Sequence, residues 1–156
     1  MKNIKYSEKE MYFIAFFMMW YGILNIDKKL DFGRIKNKKM LKYIAYVIDG
    51  KRKNIIRWNH KYINQSSKTY LRRTALHELG HLVKKPDRTK KWKENWEYEA
   101  ELFALTKIKE YYSKYLKQSV TDVKNIIKDN EKYRKYFNHV RAFKRVLKEV
   151  ETWKNT

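Results

Sequence analysis

The chain has 156 residues, with 38 Lys and Arg against 17 Asp and Glu, a formal net charge of +21 and 43% hydrophobic residues. That length suits one domain with one core, and the apolar content, rich in Tyr and Trp, excludes a disordered chain. There is no cysteine, which excludes disulfides and thiolate metal sites and leaves His and carboxylates as the only strong metal ligands.

Ser7-Glu8-Lys9-Glu10 has a capping-box pattern and opens an apolar run from Met11 to Leu24. With Lys2, Lys5 and Lys9 ahead of it, residues 11–24 have the outline of a signal sequence or anchor. The run is short for a membrane span, Glu8 and Glu10 sit at its head, and no small-x-small cleavage site follows. These features favour a buried core helix in a cytoplasmic protein with no membrane partner. Asn25 to Asn37 is basic and loop-like, with Gly33 inside it.

Lys42 to Ile48 is rich in β-formers, Asp49-Gly50 is a strong hairpin signal, and Lys51 to Asn59 reads as the returning strand. A hairpin over residues 40–60 follows. Its edge could bind an extended peptide by strand addition or be purely structural. Ser66 to Thr69 offers N-caps for a helix over 69–85, which Pro86 ends. A second helix is expected over 93–116, with Trp96, Ala100, Phe103, Ile108 and Tyr112 at helical spacing. Ser119-x-x-Asp122 starts the C-terminal helices of 119–153, where Phe137, Val140, Phe143, Leu147 and Val150 form a core stripe. The fold class is α+β: a single, mostly helical domain with a small antiparallel sheet ahead of the 69–85 helix. No repeat, linker or low-complexity tail is present.

Within that helix stands His77-Glu78-Leu79-Gly80-His81, an H-E-x-x-H motif. Positions i and i+4 lie one above the other on a helix, so His77 and His81 can share one metal ion. Glu78 is rotated about 100° from His77, which suits a carboxylate that works on a water rather than on the metal. A catalytic zinc ordinarily takes a third protein ligand. The metzincin extension fails, because Lys84 and Asp87 stand where its Gly and His belong. A carboxylate is therefore expected, and Glu94, Glu97, Glu99 and Glu101 crowd together in an otherwise basic chain. The competing reading is a solvated helix face with lysine pairs.

His77-Glu78-Leu79-Gly80-His81 followed by Glu97-x-x-Ala100-Glu101-x-Phe103-Ala104 resembles the gluzincin peptidases. It is similar more narrowly to the ImmA/IrrE family and to the compact minigluzincins. The match spans about Arg72 to Ala104. The resemblance implies a zincin-like domain, one Zn²⁺ per chain, and Glu97 as third ligand beside His77 and His81. Glu101 falls where these families place Asn or Asp beside a zinc histidine, and Glu99 is the alternative ligand. Glu78 would be the general base for attack by a zinc-bound water on a protein or peptide substrate. A Tyr or His donor to the oxyanion would come from Tyr70, Tyr98, Tyr111, His60 or His139. The ImmA/IrrE likeness implies site-specific cleavage of a DNA-associated repressor, and the minigluzincin likeness a zymogen with a terminal segment over the cleft.

Residues 28–57 carry 11 basic and 2 acidic side chains, and residues 107–156 carry 14 and 6. Charge of this size, interleaved with Trp58, Tyr62, Tyr70 and Trp92, makes nucleic acid a physically reasonable partner of the basic surface. A lysine-rich proteome explains it equally well. A non-catalytic or zymogenic basic protein that binds nucleic acid is the alternative function.

Overall fold

The first helix, α1 (Glu8–Ile23), starts on the expected capping box: Ser7 Oγ accepts from Glu10 N, and Ser7 N donates to Glu10 Oε1 at 2.9 Å. The chain is seen in a computed structural model that describes residues 4–86 and 91–155. Phe13, Phe17 and Trp20 of α1 are buried, which agrees with a core helix. Among the described residues no helix is long and apolar enough to cross a membrane.

Glu10 has a second role. Its fully buried carboxylate also accepts from Arg34 Nε and from Trp58 Nε1, both at 2.7 Å. Burial works against the charge, but these donors hold Glu10 down at about 2, against an ordinary 4.5. A depressed carboxyl stabilises the fold above its unfolded pKa, and that contribution is lost as the pH falls through the folded value. Glu10 should therefore supply up to about 3 kcal/mol, from the shift at 1.36 kcal/mol per unit, that drains away between pH 4.5 and about 2. Urea melts of wild type and Glu10→Gln against pH should show a stability gap at pH 6 that closes below pH 2. A gap independent of pH would refute this linkage.

The sheet has three strands: β1 (Lys29–Arg34), β2 (Ala45–Asp49) and β3 (Lys53–Trp58), in the order β1-β3-β2. β2 and β3 form the expected antiparallel hairpin, with Val47 opposite Ile56. The connection differs from a two-residue Asp-Gly turn. It runs through Gly50, Lys51 and Arg52, Gly50 N donates to Lys53 O at 3.1 Å, and no described glycine has positive φ. β1 corrects the loop reading of Asn25 to Asn37. It pairs parallel with β3, Phe32 opposite Ile56, so the sheet is mixed rather than antiparallel. The reason is side-chain packing that lysines mask in the sequence: Phe32 stacks on Trp58, with ring centroids 6.4 Å apart, and Leu30 packs on the core.

Five helices follow: α2 (His60–Gln65), α3 (Lys68–Val83), α4 (Trp92–Tyr111), α5 (Leu116–Lys132) and α6 (Phe137–Glu151). Ser67 caps α3, its Oγ accepting from Tyr70 N at 3.1 Å. Two expected boundaries move. α4 stops at Tyr111 rather than 116, and α5 begins at Leu116 after a 3-10 turn rather than at Ser119. Ser119 is buried inside α5 instead of capping it. α3 is central, packed between α1 on one side and α4 on the other, with β2 alongside. Leu71, Ala75, Leu76 and Leu79 fill that contact and are fully or almost fully buried. Val140, Phe143 and Val146 of the C-terminal stripe join the same core.

Candidate metal centre

α3 turns His77 and His81 toward α4, and Glu97 of α4 meets them. Glu97 Oε2 lies 3.1 Å from His77 Nε2, and Glu97 Oε1 lies 3.1 Å from His81 Nε2. One ligand atom from each of the three residues falls within 4.8 Å of the others, and all three residues are buried. The donor set, two imidazole Nε2 atoms and one carboxylate, is what a zinc ion with an open position takes. Electrostatics suit the same use. Burial opposes its charge, but bonds from His139, His77 and His81 keep Glu97 well below the usual carboxylate range, so it is ionised. Burial lowers His81 and so favours the neutral form that binds a metal, whereas His77 is held protonated by its carboxylate neighbours and would have to release that proton to a metal. The residues present therefore fit zinc.

The helices approach this closely because of Gly80. A Cβ on Gly80 would stand 2.8 Å from both Cα and O of Ala100. These are backbone atoms, which cannot swing aside. The Gly within the motif is thus needed to bring two helix backbones together, and the small Ala100 serves the same contact from α4. Gly80→Ala is expected to push α4 outward, lower the melting temperature and reduce zinc affinity at least about tenfold. Unchanged zinc titration in that variant would show that the crossing does not set the site.

The other predicted residues divide. Glu101, one turn beyond Glu97, is fully buried and reaches back to α3. Its Oε1 lies 3.3 Å from His77 Nδ1, and Arg73 Nη1 donates to its Oε2 at 2.7 Å. Burial resists charge on both carboxylate and imidazole, but their mutual contacts, with Glu97, push His77 up to about 10 and Glu101 down. Glu101 thus stands beside His77 despite its extra methylene. Glu99 lies about 200° around α4 from Glu97, and is not in the ligand group. Glu94 faces α6 instead, where it accepts from Arg141 Nε and Arg145 Nη1 at 2.9 Å each.

Glu78 faces a cleft of about 170 Å³ between β2, α3 and the α5–α6 turn. Burial pushes its carboxyl up to about 8, with the His77 charge opposing and the Glu97 charge adding. Of the five donor candidates, Tyr70 and His139 line this cleft. His139 Nε2 is 3.0 Å from Glu97 Oε2. Tyr98 lies under the Arg145 guanidinium, Tyr111 lies edge-on to Trp20, and His60 is exposed at the start of α2; none lines the cleft.

Sequence reasoning missed Arg73, Tyr43 and Tyr136. Arg73 sits one turn before His77, as Glu101 sits one turn after Glu97. That paired spacing is the signal that could have found it. Tyr136 has the left-handed backbone, φ 53°, at the head of α6, and its ring packs 5.6 Å from His139 and 5.9 Å from Tyr43. No local pattern announces it.

No protein-family model, curated protein or solved structure matches the chain.

Proposed function

We propose that the chain is a zinc-dependent metallopeptidase. The observation that carries this reading is the convergence of His77 Nε2, His81 Nε2 and the Glu97 carboxylate, with His77 and the adjacent Glu78 lining a cleft. Zinc held there would polarise a water and the scissile carbonyl. Glu78 would take the proton from the attacking water and return it to the leaving nitrogen. Tyr70 and His139, both at the cleft wall, are the groups placed to donate to the developing oxyanion. Glu101, itself held by Arg73, would back the His77 ring. The outer edge of β2 is paired with no strand among the described residues and borders the cleft, so an extended peptide could add to it. A regulatory protease for a DNA-associated protein is the finer version, supported by the basic surface and the motif likeness.

Metal content tests it. Elemental analysis of tag-free protein should give about one zinc per chain, lost in His77→Ala and in Glu97→Ala. A chain that takes up no zinc after soaking would remove the peptidase reading and leave the basic protein that binds nucleic acid.

A further inference from the structure

The mouth of the cleft has an unusual charge balance. Between Asp31 and Glu78 the sequence has a single acid, Asp49, and that residue is engaged by Lys28 and Lys85. Residues 132–148 contain no acid at all. These two stretches supply the two walls. Lys42, Tyr43 and Ile44 stand on one side, and Tyr136 and His139 on the other. Lys36, Lys38, Lys39 and Lys42 are exposed ahead of the first wall, and Arg134 and Lys135 are exposed at the second. Among the described residues none of these six forms an ion pair, whereas Lys53, Arg141, Lys144 and Arg145 of the same two stretches are matched to carboxylates. The carboxylates inside the site are buried and already faced by Arg73 and three histidines. The rim is therefore a collar richer in cations than in acids: Lys42 lines the cleft and Arg134 and Lys135 lead into Tyr136, with Asp129 and Glu131 at the end of α5 the nearest exposed acids in the chain.

We propose that this collar selects acidic peptides: the substrate is an extended segment with Asp or Glu flanking the bond to be cut. The proposal rests on the peptidase reading and adds the substrate class. Charges at a low-dielectric cleft focus the field and raise the local concentration of an oppositely charged ligand. A peptide is favoured over nucleic acid by the shape of the place. The open edge of β2 begins at the cleft wall, suited to a polypeptide backbone. Tyr43 and Tyr136 pack on each other at 45° instead of lying apart as stacking platforms for bases.

The test is fluorescence anisotropy on the full zinc-loaded chain carrying Glu78→Gln, at physiological salt. It uses labelled peptides of equal length that differ only in carrying Glu, Gln or Lys on both sides of an apolar centre. The Glu peptide should bind at least about tenfold tighter than the Gln peptide. Adding Lys42→Glu with Lys135→Glu, one from each wall, should remove most of that preference. Adding Lys117→Glu with Lys124→Glu, on the side of α5 away from Ile126 and Asn130, changes net charge equally and should cost less than about twofold. Equal losses in both pairs would mean that only net charge is sensed and would overturn the proposal. So would a single-stranded oligonucleotide that outcompetes the Glu peptide and depends on Lys42 and Lys135. Turnover by the wild-type chain separates the two ideas. Cleavage of Gln and Glu peptides at equal rates sinks the collar and leaves the peptidase. Charge-selective binding at the collar without any turnover does the reverse.

Discussion

Glu78→Gln is expected to retain about one zinc per chain while peptide hydrolysis falls by about 10²–10⁴-fold, the usual contribution of a positioned general base. The side chain is only 7% exposed, faces the cleft, and is not one of the three residues that could hold a metal. Gln keeps its volume and one acceptor oxygen but cannot take a proton. Burial already disfavours the charged form of Glu78, so the neutral amide should fold at least as well as the acid. Melting temperature and zinc content would confirm that an inactive variant is intact. Wild-type turnover in an intact variant would end the proposed mechanism.

Glu101→Leu should cost the largest amount of stability, about 3–5 kcal/mol, because it leaves Arg73 charged and buried with no anion beside it. Arg73 is 4% exposed and Glu101 0%, so water cannot replace the lost partner. The double variant Arg73→Met with Glu101→Leu should recover most of that loss, since two apolar side chains of similar volume need no counter-ion. Zinc affinity should not recover with it, because His77 Nδ1 still lacks its carboxylate. Denaturant melts and zinc titrations of the two single variants and the double form one cycle. If metal affinity returned together with stability, Glu101 would have no role in orienting His77.

The parts of the site that share one helix were legible before any coordinates. His77, Glu78 and His81 declare themselves because an i, i+4 pair needs only local geometry. The third position was narrowed to four acids by composition, and only the likeness of Glu97-x-x-Ala100-Glu101 to the gluzincin motif singled out Glu97. What resisted reading depends on contacts far apart in sequence. His139 reaches Glu97 across 42 positions, and nothing near it in the chain sets it apart from His60. Arg73 looks like any other cation in a chain with 38 of them, and only burial against Glu101 marks it. In the fold, the hairpin was legible from its β-formers and turn, whereas β1 was hidden. Its Lys29, Asp31 and Arg34 break the apolar pattern, and its partner is a parallel strand beyond β2. The α4 and α5 boundaries shifted because neither helix end there has a side-chain cap to mark it.

The brace on Glu97 has a consequence for how the site comes into being. His139 touches Glu97, and Arg141 and Arg145 grip Glu94, all from α6. A ribosome working at about 5–20 residues per second needs roughly 2–10 seconds to go from Glu97 to Arg145. Through that interval the nascent chain already owns both histidines and every carboxylate of the centre, yet α4 has nothing to hold it from the far side. The helix that fixes α4 in place is translated after the residues it steadies, so the cluster of His77, His81 and Glu97 stays unbraced until α6 has emerged.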